Sequence, residues 1–316
     1  LWVHDTGRRS AIRLDWSGFL LFSIAITCGQ LMMDRGERAD WFESYEIWSY
    51  LALIAVSLWI FLVHSMTSDN PFINPKLFRD RNFSVGVFVV FVYGMLNITP
   101  TVMIPTMLQN LMGYPDSMIG VLLAARGCGM ALGFFVVAII AKIDPRIGII
   151  LGFLAIGLSG WNMALFTLEV DPWTVAWNVI LQGFGSAIMW VPLSIVAFAT
   201  LPVTLLPDGS SIFHLLRNFG SSIFISVSVL TVSRTGKISY SELSEHITAF
   251  ADVLRFQQVM GRWSFDTAEG LVALGSEVSR QALMVGYTNF FVLYALVSFG
   301  AIPLMLLVKI KQEKTA

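Results

Sequence analysis

Two arginines stand where arginine is expensive. Arg126 lies nine residues into an apolar run that opens at Ser117, and Arg217 lies five residues into one that opens at Ile212. At 1.5 Å per residue, Arg126 is roughly 14 Å from the start of its run, close to the middle of a bilayer. A cation at that depth is tolerated when it faces a cavity or bonds a partner. Two readings follow. Either both arginines line a polar cavity that receives a ligand, or each locks neighbouring helices by bonding backbone carbonyls or a carboxylate. Arg217, with His214 three residues before it, is also shallow enough to snorkel.

Other residue types fit the cavity reading. Tyr93, Asn97 and Thr99 share one run. Gln182, Trp190 and Ser194 share another, with Gln182 and Trp190 eight residues apart and so nearly on one helical face. Met95, Met103 and Met189 add soft apolar surface that re-packs around ligands of different shape. The plain alternative is interhelical packing. Gly129 with Gly133, and Gly148 with Gly152, have the G-x-x-x-G spacing that lets helix backbones approach. Pro100, Pro105 and Pro192 fall inside apolar runs, where proline marks kinks and candidate hinges, and Pro192 is expected to break its run.

Several chemistries lack their residues. Gly236-Lys237 is followed by Ile238 with no glycine-rich lead, so there is no phosphate-binding loop. His4, His64, His214 and His246 are scattered without metal-ligand spacing. No carboxylate pair lies within an apolar run, and no catalytic constellation is found. The chain reads as a non-enzyme without a bound cofactor.

Composition dictates the elements that hold these residues. Of 316 residues, 56 % are hydrophobic and 13 % charged, against about 25 % charged in a soluble domain. Mean hydropathy is +0.72 and net charge −1. So few charges cannot solvate the outside of a globule this apolar, and a balanced charge gives no nucleic-acid signal. Eight runs are long enough to cross a bilayer: 14–33, 47–66, 83–104, 117–141, 147–167, 175–201, 212–233 and 288–308. They do not alternate, so they read as helices rather than barrel strands. Cys28 and Cys128 sit in apolar runs and suggest no disulfide framework. The expected fold is an all-α integral membrane protein with eight transmembrane helices.

Lys and Arg in the short connections orient it. One set of connections carries eleven, among them Arg8, Arg79, Lys142, Arg146 and Lys311; the alternate set carries Arg35 and Arg38 alone. The richer side is the cytoplasm, which places both ends of this chain there. Three parts are expected: a lead and two helices over 1–66, a cytoplasmic linker over 67–82 containing Pro71 and Pro75, and a six-helix bundle over 83–316. The connection 234–287 is a long extracytoplasmic loop. It is expected to form a helical hairpin, with one amphipathic stretch through Leu243, Ile247, Phe250 and Leu254 and another through Leu271, Leu274, Val278 and Val285. Ser239 with Glu242, and Asp266 with Glu269, have capping-box spacing.

Specific motifs carry a resemblance. Asp15-Trp16, Asp34-Arg35-Gly36 and Trp41-Phe42 resemble the two extra helices of the fourteen-span EmrB/QacA-type drug:proton antiporters of the major facilitator superfamily. Leu77 to Phe83, Ala124-Ala125-Arg126-Gly127, Asp144-Pro145-Arg146, Gln182-Gly183-Phe184-Gly185, Val191-Pro192-Leu193 and Leu216-Arg217-Asn218-Phe219-Gly220-Ser221-Ser222-Ile223 are similar to that branch in order along the chain. Ala125 stands where the branch has proline, Ser221 where it has glycine, and Asn289 where an acid is common. The resemblance implies two inserted helices followed by a C-terminal bundle of three plus three helices about Glu169 to Trp173.

What the resemblance implies about activity is efflux of hydrophobic small molecules across the inner membrane, driven by a proton gradient rather than a cofactor. Its implied partners are the bilayer, protons, a hydrophobic substrate, and a periplasmic adaptor with an outer-membrane channel. By the same resemblance the chain is expected to be a C-terminal fragment, with proton coupling in the preceding helices, since no acidic residue lies at mid-span here. The substrate-cavity candidates read from the residues themselves are Tyr93, Asn97, Arg126, Gln182, Trp190, His214 and Arg217. Gly129, Gly133, Asp144, Arg146, Pro192 and Gly220 are expected to serve packing and conformational change. Transport of one defined metabolite, or a transport-inactive sensor or scaffold on the same fold, are the rival readings.

Overall fold

Eight long helices account for the eight apolar runs in the computed structural model, which describes residues 15–36, 38–68, 71–247, 263 and 267–307. They are α1 (Trp16–Gly36), α2 (Tyr45–Thr67), α3 (Arg81–Met112), α4 (Asp116–Ile143), α5 (Pro145–Met163), α6 (Pro172–Phe198), α7 (Leu206–Glu245) and α8 (Ala268–Ala301). Among the described residues there are no strands. The outward surface is apolar: Trp59 is 70 % and Phe135 78 % exposed. Large side chains displayed this widely are solvated by lipid, not water. The protein is a multi-pass membrane protein.

The chain divides into two compact units, Leu1–Arg79 and Asp80–Ala316. In the first, α1 and α2 run antiparallel. Arg35 near the end of α1 pairs with Glu46 at the start of α2 at 2.7 Å. At the opposite end, Asp15 caps α1 by accepting from the Gly18 amide at 2.9 Å. The same carboxylate meets His64 Nε2 at 2.9 and 3.0 Å and accepts from the Phe72 amide at 3.0 Å. Phe22 and Phe61 fill the seam with ring centroids 5.0 Å apart. His64, without ligand spacing in the sequence, thus has a structural role.

In the second unit, short polar signals start the helices. Asp80, Asp144 and Asp171 each accept from a backbone amide two or three residues on, at 2.8, 2.9 and 2.9 Å. Asp144 and Asp171 are each followed by proline, whose fixed φ and missing N–H suit the first helical turn. Asp144-Pro145-Arg146 is therefore a helix start. Asp80 also accepts from Thr200 at 2.8 Å, tying the start of α3 to the end of α6.

Small residues set the helix spacing. A Cβ on Gly129 or Gly133 of α4 would run into the Ile180 and Phe184 carbonyls of α6. One on Gly148 of α5 would lie 2.8 Å from Cγ of Pro192, and one on Gly152 2.7 Å from the Gly185 carbonyl. Gly94 of α3 meets the Arg217 carbonyl of α7, and Gly220 of α7 meets the Phe91 carbonyl of α3. Pro192 does not break α6, which runs on to Phe198. It is buried against Gly148, and proline inside a membrane helix is tolerated where packing and neighbouring groups compensate.

The connection after the seventh apolar run differs from expectation. α7 continues past Ser233 to Glu245, and α8 already begins at Ala268. Leu243 therefore belongs to the extension of α7, and Leu271, Leu274, Val278 and Val285 belong to the helix that spans to Ala301. Leaving the hydrocarbon does not end a helix; a breaker does, and 234–245 has no proline. Ser239 is buried in mid-helix and caps nothing. The cap of α8 is Thr267, which accepts from the Gly270 amide at 3.1 Å. Phe250, Leu254 and Asp266 lie outside the described residues.

Candidate functional site

Four helices of the second unit bring the polar residues together. α3 contributes Tyr93 and Asn97, one turn apart. α4 contributes Arg126, α6 Gln182 and Trp190, and α7 His214 and Arg217. The close contacts at Gly94 and Gly220 hold α3 against α7, while Gly183 of α6 sits on the Arg126 backbone. The glycines therefore decide how near the two arginines come to their partners.

Arg126 points inward. Its Nε donates to Oε1 of Gln182, and its Nη2 donates to the backbone carbonyl and Oδ1 of Asn97 at 3.0 and 2.7 Å. The other Gln182 terminus reaches the Leu96 carbonyl and the Ser186 hydroxyl, both at 3.3 Å. Below it, Tyr294 of α8 is fully buried and donates to the Leu96 carbonyl at 2.8 Å. Charge-assisted bonds of this kind are the strong ones, and the network fixes the guanidinium plane.

Arg217 takes a different environment. Its guanidinium carbon lies 5.1 Å from the centroid of Trp190, a cation–π contact, and it donates to Asn218 Oδ1 at 3.2 and 3.3 Å. Trp190 is the hub of an aromatic group: Tyr93 at 5.3 Å, Phe213 at 5.9 Å and His214 at 6.0 Å between ring centroids. Tyr93 links the two halves, because its hydroxyl lies within electrostatic range of both guanidiniums. Neither arginine bonds a carboxylate among the described residues.

The arrangement is both a lock and a lined face. Arg126 does bond backbone carbonyl and side-chain amides, as a helix lock would. Its Nη1 makes no hydrogen bond to the described residues, leaving two N–H donors. Beside an indole, a phenol and an imidazole, those donors can meet a ligand bearing negative or acceptor groups. Sequence reasoning missed Tyr294 and Ser186. Tyr294 had a signal: it lies seven residues, two helical turns, past Tyr287 on the same apolar face. Ser186, one turn after Gln182, was available on the same argument.

The sequence has relatives. No family model matches the chain. It is 26 % identical over 292 residues to the multidrug export protein EmrB of Haemophilus influenzae, covering 91 % of this chain and 57 % of that protein. It is 28 % identical over 240 residues to EmrB of Escherichia coli K12, covering 75 % and 47 %. Similarity to the fatty acid resistance protein FarB of Neisseria gonorrhoeae is 26 % over 316 residues, covering 98 % and 62 %. The chain spans about half the length of the curated relatives it matches. Along most of its own length it resembles EmrB-type transporters of the major facilitator superfamily, as the motifs implied.

Proposed function

We propose that this chain forms part of a proton-coupled exporter of hydrophobic small molecules, and that the face built from α3, α4, α6 and α7 is one wall of its substrate path. The observation that carries the reading is the pair of guanidiniums flanking Tyr93 and Trp190 with no carboxylate among the described residues bonded to either. Part-buried cations favour a ligand that supplies the missing negative charge, and the aromatic surface of Tyr93 and Trp190 accepts its apolar body. The names of the similar proteins, multidrug export and fatty acid resistance, agree with apolar cargo.

On this reading the chain sits in the inner membrane with both of its ends cytoplasmic. Its parts are a helix pair over 1–66, a linker over 67–82 and a bundle of three plus three helices over 83–316. Gly129, Gly133, Pro192 and Gly220 are the packing points about which the helices adjust. A periplasmic adaptor and an outer-membrane channel complete the export route, with the outer ends of α7 and α8 as the contact.

The test is a matched set of aromatic ligands of one size carrying a carboxylate, a neutral amide or an ammonium. The carboxylate should bind tightest, and Arg126→Gln should remove its advantage. Equal binding of all three by the unaltered protein would overturn the charge argument. In vesicles, export should stop when a protonophore collapses the pH gradient; export that survives would overturn the proton coupling.

A further inference from the structure

A groove between α3, α7 and α8, with a volume of about 570 Å³, lies away from the arginine-lined face. On α3 it is lined by Val102 and Thr106. Thr106 is nine residues, two and a half turns, beyond Asn97, and so on the opposite face of that helix. The groove therefore opens away from Arg126, on the side where Val102 and Val229 are 40 % and 46 % exposed.

Its lining changes character along α7. Val229 and Val232 come first, with Leu283 of α8 across from them; Lys237 and Tyr240 follow one to two turns later. Gly236 keeps the floor open, since a Cβ there would lie 2.9 Å from Leu283. Depth gives this gradient a meaning. About 20 residues cross the hydrocarbon, so a crossing that starts at Ile212 ends near Val232. Lys237 is then roughly 7 Å further out, within the headgroup layer that adds about 5–7 Å on each side of the hydrocarbon. The valines stay at acyl-chain depth, and the ammonium stands at phosphate depth.

We infer that this groove is a binding site for an anionic phospholipid, its phosphate on Lys237 and Tyr240 and one acyl chain between Val102, Val229 and Leu283. An ammonium and a phenol on one rim are the cationic and hydroxyl donors that phosphate oxygens accept from. A bilayer lipid is the occupant that reaches both depths at once from the side on which the groove opens.

Native mass spectrometry of the detergent-extracted protein, exchanged with mixtures of phosphatidylglycerol and phosphatidylcholine, tests this. One phosphatidylglycerol should be retained preferentially. A lysine near a membrane surface contributes about 1 kcal/mol toward anionic lipid, so Lys237→Gln should cut the headgroup preference about fivefold. Arg234→Gln, close by but not lining the groove, should leave it unchanged. Val102→Trp, which fills the groove and keeps the charge, should lower retention of both lipids with their ratio intact. Equal effects of Lys237→Gln and Arg234→Gln, unchanged retention in Val102→Trp, or no preference in the unaltered protein would each overturn the assignment. So would palmitate displacing phosphatidylglycerol at equal concentration, or a protein segment found seated in the groove.

Discussion

Arg126 and Asn97, 29 residues apart in sequence, are joined twice: one guanidinium nitrogen reaches both the backbone carbonyl and the side-chain oxygen of Asn97. The bond clamps α4 onto α3 at the level where Gln182 attaches from α6. Removing it exposes several buried polar groups at once. We expect Arg126→Ala to destabilise the protein by roughly 3 kcal/mol, from lost charge-assisted bonds and orphaned amides. Arg126→Lys should recover part of this, because an ammonium keeps the charge but not the planar fork. Thermal unfolding in detergent measures both.

Tyr294 offers a milder test. Its hydroxyl donates one short bond to the Leu96 carbonyl at 2.8 Å and accepts only a long one from Gln182 at 3.4 Å, which also reaches the Leu96 carbonyl. Tyr294→Phe should therefore cost about 1 kcal/mol, the worth of a single net hydrogen bond. Ligand affinity should change little, since Arg126 keeps its own partners. A drop in affinity larger than the drop in stability would contradict this division.

Two glycines should answer oppositely to the same substitution. Gly94 touches the Arg217 carbonyl, so Gly94→Ala must push α3 and α7 apart, at a cost of roughly 1–3 kcal/mol. It should also weaken ligand binding by displacing Arg217 from Trp190. At Gly127 nothing lies within 4 Å of an added Cβ. Gly127→Ala should be neutral or stabilise by up to about 1 kcal/mol through helix propensity. Melting temperatures of the two variants make the comparison.

The helix pair α1–α2 carries a pH dependence. Burial opposes ionisation of the Asp15 carboxyl, but the Gly18 amide, His64 and the Phe72 amide together outweigh it and hold its pKa below the ordinary carboxylate value. A lowered folded pKa means the stabilisation is complete above pH 4 and is lost as pH falls through the lowered value. Protection of the Gly18 and Phe72 amides, measured against their intrinsic exchange rates at each pH, should be high at neutral pH and fall on acidification below pH 4. In Asp15→Ala, which has no acceptor, the protection should be low throughout that range.

Much of this was legible in the residues. The apolar runs place the eight helices because spanning length is set by the bilayer, and Asp144-Pro145 and Asp171-Pro172 mark helix starts through local chemistry alone. Arg126 stood out because mid-membrane charge is rare. Its partners were harder. Asn97 and Gln182 were visible as polar residues in apolar runs, but which helices meet is decided by glycine contacts such as Gly94 on Arg217, which have no local signature. Tyr294 looked like one more aromatic in a span until the Leu96 carbonyl came within reach. The ends of α7 and α8 escaped because hydropathy reports where lipid stops, not where the backbone ladder stops.

That overrun of α7 has a mechanical side. From Arg217 to Glu245 is 28 residues of helix, about 42 Å. No proline interrupts that stretch to act as a joint. A rod of this length is a lever that pivots beside Trp190 and carries its tip at Glu245. A tilt of about 10° at the pivot sweeps the far tip through roughly 7 Å, by the same helix rise. A tilt of α7 beside Trp190 is thus carried to Glu245 as a displacement, without any signal passing through a loop.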